Sequence, residues 1–149
     1  MGMNPLPKLP CLCSNVRRAS RALTQLYGEA LRPAGVNATQ FTVLQALSLT
    51  GEISQGRLGE ILVLDSTTLT RTLAIMKRER WIAERRGEDR RERRLKLTRT
   101  GESQLAQASR EWERVQSRLR KRLGAERWND LFRLTHEVTT LVTNGGDAL

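Results

Sequence analysis

The sequence predicts a mainly α chain with one small β-hairpin. Three observations carry that class. Apolar residues recur at three- and four-residue steps through most of the 149 residues. Two short runs, WIAERR (81–86) and RLKLT (94–98), have strand character and bracket a turn over Gly87 to Arg93. Glycine, proline and capping residues interrupt the helical pattern at short intervals. The expected order is four helices, the hairpin, a long helix and a last helix. Two short helices joined by a tight turn and followed by a basic hairpin are the plan of a winged helix-turn-helix.

Each element has its own warrant. Residues 1–9, with Pro5 and Pro7, are expected to be a flexible arm, as is the end from 144 to 149 with Gly145-Gly146. Val16, Ala19, Leu23, Leu26 and Ala30 form the stripe of a first helix from about Cys11 to Leu31, stopped by Pro33 and Gly35. Thr39 is expected to cap a second helix carrying Phe41, Leu44, Ala46 and Leu47, and Gly51 to end it. Ser54 opens a short third helix through Leu58, Ile61 and Leu62; Asp65 or Ser66 caps a fourth from about Thr67 to Arg80. A long polar helix then runs from about Thr100 to Leu123, and Gly124 separates it from a last helix over about Glu126 to Val142.

Composition narrows the partners. The chain carries a net charge of +10, which calls for a polyanion, nucleic acid before an anionic membrane surface. From Arg71 to Arg99 twelve basic residues face five acidic ones, so +7 of that charge lies in and around the hairpin. Phosphates would offset such self-repulsion and release counterions. No stretch approaches the roughly 20 apolar residues of a membrane span. The N-terminal MGMNPLPKLPCLC has no basic region followed by an apolar run, so no signal peptide is expected, and the expected location is the cytosol. Cys11 and Cys13 are too close in sequence to close a relaxed disulfide, and with His136 far away no metal site is expected. No nucleophile–base pair, phosphate loop or cofactor motif is present, so neither an enzyme nor a cofactor is predicted.

The fourth helix has two faces. Leu69, Leu73 and Met76 fall on one side and should be buried. The other side presents Thr67, Arg71, Ala74 and Arg78, flanked by Ser66, Thr68, Thr70 and Lys77. Small hydroxyl residues at a helix tip admit it to a major groove, and arginine can fork onto guanine. Arg90, Arg91, Arg93 and Arg94 supply the wing's contacts.

LDSTTLTRTLAIMKRERWIAERRGE followed by DRRERRLKLTRTGE resembles the MarR family of bacterial transcription regulators, as does VNATQFTVLQAL before it. The wing element is Asp89-Arg90-Arg91, then Leu95-Lys96-Leu97-Thr98, then Gly101. The resemblance covers about residues 10–143. It implies a winged lobe over about 36–99, and dimerisation helices over about 10–35 and 100–143. It implies a homodimer on a palindromic DNA operator. It makes Arg91 the minor-groove residue at the wing tip, and Asp89 a wing-structuring residue paired with Arg93 or Arg94. It also implies a small-molecule effector, an aromatic anion being typical, for which Arg17, Tyr27, Phe41 and Trp112 are the candidate ligand-binding residues.

The favoured function is therefore a dimeric, sequence-specific repressor released by a small ligand. One alternative is a repressor that senses oxidants through Cys11 and Cys13. A helix start with Arg17 and Arg18 nearby favours that reading, while the apolar neighbours Leu9, Pro10 and Leu12 are expected to raise the thiol pKa and oppose it. The alternative from another class is a general nucleic-acid-binding protein, which would want aromatic stacking residues that this chain, with 4% aromatics, largely lacks.

Overall fold

The computed structural model describes residues 6–144; the expectations for Pro5 and for Gly145-Gly146 lie outside them. The order is α1 (Leu12–Leu31), a 3-10 turn (Arg32–Ala34), α2 (Ala38–Thr50), β1 (Ile53–Ser54), α3 (Gln55–Leu62), α4 (Ser66–Arg78), β2 (Ile82–Arg86), β3 (Arg93–Leu97), α5 (Arg99–Leu123) and α6 (Ala125–Asn144). The predicted hairpin is present and gains a third strand. Two residues before α3 pair antiparallel with β3, giving the order β1-β3-β2. The chain divides into two compact units, one ending at Trp112 and one beginning at Glu113.

In the first unit α2 is the core's central helix: Gln40, Phe41, Val43, Leu44, Ala46 and Leu47 are buried, while Thr42 and the last turn, Ser48 to Thr50, are exposed. Around it gather Leu31, Leu58, Leu69, Leu73, Met76, Trp81, Ile82 and Leu95. The end of α1 thus shares the core of the winged element, through Leu31 and the half-buried Tyr27. In the second unit, α6 buries none of its residues within this chain.

The caps follow local hydrogen-bonding chemistry. Asn37, not Thr39, starts α2: its side chain accepts from the Gln40 N–H at 2.9 Å while the Gln40 side chain accepts from the Asn37 N–H at 2.9 Å. This reciprocal box satisfies two orphan donors at once, which Thr39, one residue inside the helix, cannot do. Ser54 caps α3 and Asp65 caps α4. α3 ends on Val63 (φ 50°), and α4 is followed, one residue past Glu79, by Arg80 (φ 61°), both in the left-handed region. The bonds Leu64 N–H to Gly59 O and Trp81 N–H to Met76 O then close each end by the six-to-one pattern common at helix C-termini.

One junction joins the hairpin to both neighbouring helices. The Thr98 hydroxyl donates to the Arg80 carbonyl at 2.6 Å and accepts from the Gly101 N–H at 3.0 Å. The Thr98 N–H bonds the Trp81 carbonyl at 3.0 Å. The first turn of α5 comes so near that a Cβ on Gly101 would collide with the Trp81 carbonyl oxygen. That obstacle is backbone, which cannot swing away as a side-chain end can. Gly101→Ala is therefore expected to destabilise the protein by about 2–3 kcal/mol, the upper part of the overpacking range. Urea denaturation of the two proteins measures this; equal midpoints would show that α5 shifts freely at this contact.

Candidate nucleic-acid interface

The face of α4 is set by its apolar stripe. Leu69, Leu73 and Met76 are buried as expected, which turns Ser66, Thr67, Thr68, Thr70, Arg71, Ala74, Lys77 and Arg78 outward. Gly59 of α3 permits the close helix crossing, since a Cβ there would sit 3.3 Å from the Leu69 side chain. Several hydroxyls on this face are already engaged. Asp65 accepts from the Thr68 N–H at 2.8 Å and from the Thr68 hydroxyl at 2.6 Å. These bonds, the hydroxyl's first, hold the Asp65 carboxyl below its ordinary pKa. Thr72 bonds back to the Thr68 carbonyl, and Gln55 donates to the Thr70 hydroxyl at 3.3 Å. Gln55 was not anticipated as part of this face, because it belongs to the preceding helix and only packing brings it here.

The wing shows how the basic charge is managed. The strand register sets Arg85 opposite Arg94 and Arg86 opposite Arg93, two rungs of like charge. Like charges directly opposite each other repel. Successive side chains on a strand point to opposite faces, so the rungs lie on different sides of the sheet. On one side Glu84 accepts from Lys77 of α4 at 2.8 Å and from Arg93 at 3.2 Å. On the other, Glu52, just before β1, accepts from Arg85 Nε at 3.0 Å and from Arg94 Nε at 2.9 Å. A second bond from Arg85 makes that pair bidentate. Arg94 Nη1 reaches Glu92 at 2.8 Å. The bonds from Arg85 and then Arg94 drive the Glu52 pKa down to about 2. The Glu84 carboxyl is lowered as well, chiefly by Lys77.

These pairs correct part of the sequence reading. Asp89 structures the wing turn but pairs with neither Arg93 nor Arg94. Its carboxylate accepts from the Arg91 N–H at 2.9 Å, a local turn that holds it two residues from its own backbone position. Arg93, Arg94 and Lys77, expected among the DNA-contacting residues, each also pair with a carboxylate. Arg90 and Arg91 stand exposed at the tip, with no side-chain partner among the described residues, and so do Arg71 on α4 and Arg86 on β2. Arg91 also borders an open groove formed by Ser54, Gly56, Ser66 and Leu69 with the wing turn.

The structure gathers three of the four expected ligand residues at one core and leaves Arg17 apart. Phe41 is buried in the core with its ring 5.9 Å from that of Trp112, and Tyr27 packs against the same core. Arg17 lies ten residues before Tyr27 on α1, about 15 Å along the helix at 1.5 Å per residue. Its guanidinium instead lies 3.8 Å from the Cys13 sulfur. Cys11 and Cys13 are exposed, not enclosed by their apolar neighbours. The Cys11 thiol pKa is lowered, first by the Ser14 N–H at the start of α1, so the expected rise through an apolar setting does not occur.

Comparison with known proteins places this geometry. A model of the MarR family matches residues 34–92, from the end of the 3-10 turn to the wing. The M. tuberculosis transcriptional regulator MosR, solved in complex with DNA, is 33% identical, with 89% of this chain and 96% of that one covered and a TM-score of 0.79. The chain belongs to the MarR family. A cysteine-to-serine variant of E. coli MarR, complexed with operator DNA, is 26% identical over 85% of this chain and 92% of that one, with a TM-score of 0.76. An uncharacterised HTH-type transcriptional regulator of Bacillus subtilis (strain 168), YwoH, is 30% identical over 91 residues, 61% of this chain and 66% of its own length. The mainly helical fold with its small wing is the winged helix of these MarR-family regulators. No helix among the described residues is long and apolar enough to cross a membrane.

The wing's ion pairs have a defined pH window. Glu52 titrates near 2 in the folded chain against an ordinary value of 4.5. A depressed carboxylate pKa contributes stability that is complete above the ordinary value and is lost as pH falls through the folded one. Thermal stability should therefore drop between about pH 4.5 and 2, and Glu52→Gln should flatten that part of the profile. Superimposable profiles for wild type and variant, measured by circular dichroism, would contradict the assignment.

Proposed function

We propose that this chain is a dimeric transcription regulator that binds a palindromic double-stranded DNA operator. In this reading α4 enters the major groove and the wing tip reaches the adjacent minor groove and phosphates. The observation that carries it is the pattern of free cations. On the exposed face of α4 and on the wing, Arg71, Arg86, Arg90 and Arg91 have no carboxylate partner among the described residues, while Arg85, Arg93 and Arg94 are paired. DNA complexes of the relatives MosR and MarR support the same use of the fold. A cytosolic location follows from such a partner.

Dimerisation is supported by surfaces the chain leaves bare. Leu131, Phe132, Leu134, Val138, Leu141 and Val142 of α6 are exposed, as are Leu12, Val16 and Leu23 of α1. Apolar stripes of this extent are usually covered by a second copy. Two recognition helices related by a two-fold axis would meet half-sites one helical turn apart. Repression relieved by a small effector, an aromatic anion being one class, completes the reading.

A second reading has its own observation. The exposed, acidified Cys11 and the Arg17 contact to Cys13 favour thiol chemistry as the releasing signal. The close sequence spacing opposes an internal disulfide. The double substitution Cys11→Ser with Cys13→Ser is expected to leave operator release unchanged. Peroxide that abolishes DNA binding of the wild type but not of the double variant would make thiol sensing the better account.

For the DNA interface, Arg91→Ala should weaken binding to a duplex selected from a random pool by about 1–3 kcal/mol while leaving the fold intact. Unchanged affinity at fixed salt removes Arg91 from the interface. Light scattering at micromolar concentration should give the mass of a dimer, and a monomer would overturn the assembly.

A further inference from the structure

We propose that Glu52 is a specificity-determining positioning residue, which withholds Arg85 and Arg94 from DNA phosphates and so leaves the wing's contacts to its tip. The inference rests on the DNA-binding reading above. Glu52 is not part of the hairpin. It lies 33 residues from Arg85 and 42 from Arg94 in sequence, and the pairing of β1 with β3 brings it alongside their rung. One carboxylate takes both guanidiniums. Arg94 is held on three sides: by the Glu52 carboxylate, by the Glu52 carbonyl at 3.3 Å and by Glu92. Its side chain is only 31% exposed, against 58% for Arg85.

Such a clamp does two things. It cancels one charge of a repelling pair, and it fixes the direction of both long side chains. Removing the carboxylate leaves Arg85 unpaired and Arg94 with Glu92 as its one carboxylate, on one face of the wing. Each would then gain by meeting a phosphate, and phosphate contact carries no sequence information. Glu84 does not serve this purpose in the same way, because its pairs with Lys77 and Arg93 tie the hairpin to α4. Glu52 acts on the Arg85–Arg94 rung alone, so its loss should alter how the wing meets DNA more than how the lobe folds.

The test compares the salt dependence of binding for wild type and Glu52→Gln. The probes are a random-sequence duplex of about 30 base pairs, long enough for two half-sites one turn apart, and the duplex that the wild type selects from a random pool. Each freed cation that neutralises a phosphate steepens the slope of log K against log salt by about 0.9. Glu52→Gln should steepen it by about 1–2, bind the random duplex roughly tenfold more tightly, and lower the ratio of selected to random affinity. Adding Arg85→Gln to that variant should return about one unit of slope. Arg85→Gln alone should leave the wild-type slope unchanged, and this arm stands even where Glu52→Gln unfolds. An unchanged slope and ratio in folded Glu52→Gln overturns the inference. So does equal weakening on both duplexes without a change of slope, which would make Glu52 a structural brace only. A wild type that binds neither duplex overturns the DNA-binding reading itself, and the inference with it.

Discussion

The middle strand, β3, sets the geometry of the wing. It pairs with β1 on one side and β2 on the other, and its alternation sends Leu95 into the core and Arg94 to the opposite face. A slip of one residue would bury Arg94 and expose Leu95, which is fully buried in the native register. The core therefore dictates which arginines stand opposite each other, where the turn falls, and which residues reach the tip. Thr98 extends that control to the helices on either side, by bonding the end of α4 and the start of α5.

A concentration of like charge in a hairpin needs compensation, and here it comes from two sources. Glu52 and Glu84 each accept from two cations on opposite faces of the sheet, and Glu92 adds a bond to Arg94. These pairs are partly shielded and geometrically fixed, so they determine shape more than they add stability; exposed pairs contribute at most about 1 kcal/mol each. The tip has no such partners among the described residues. Its repulsion is the part that an external polyanion would relieve. Internal carboxylates at the root and free arginines at the tip make the wing stiff where it joins the fold and available where it ends.

How much of this the sequence disclosed depends on the range of each interaction. The helices were legible because their stripes are local and periodic: Leu69, Leu73 and Met76 are buried as their spacing requires. The start of α2 was equally local, since Asn37 and Gln40 have the spacing of a capping box, a stronger signal than the hydroxyl of Thr39. β1 was not legible, because two residues show no periodicity. The Glu52 clamp spans 33 and 42 residues and leaves no local trace. The pairing assigned to Asp89 failed because a short side chain in a turn finds its nearest backbone N–H first. The family resemblance puts Arg17 with Tyr27, Phe41 and Trp112, but the helix rise sets it far from Tyr27. The thiols show the reverse error, since apolar neighbours in sequence do not bury a residue at an exposed helix start.

The hydroxyls of α4 complete the physical picture, because a hydroxyl has one proton and that proton can be committed. Thr68 donates to Asp65, and Thr72 donates to the Thr68 carbonyl. On the proposed interface Thr68 can therefore only accept, which suits an amino group such as that of adenine or cytosine. Thr70 accepts from Gln55 and keeps its proton, so it suits an acceptor such as a phosphate or a guanine edge. Ser66 and Thr67, exposed at the first turn, have no side-chain bond among the described residues and keep both capacities. Residues that look interchangeable in STTLT are thus made different by their neighbours. The Asp65 cap, a requirement of helix formation, also decides which way one of the exposed hydroxyls can be read.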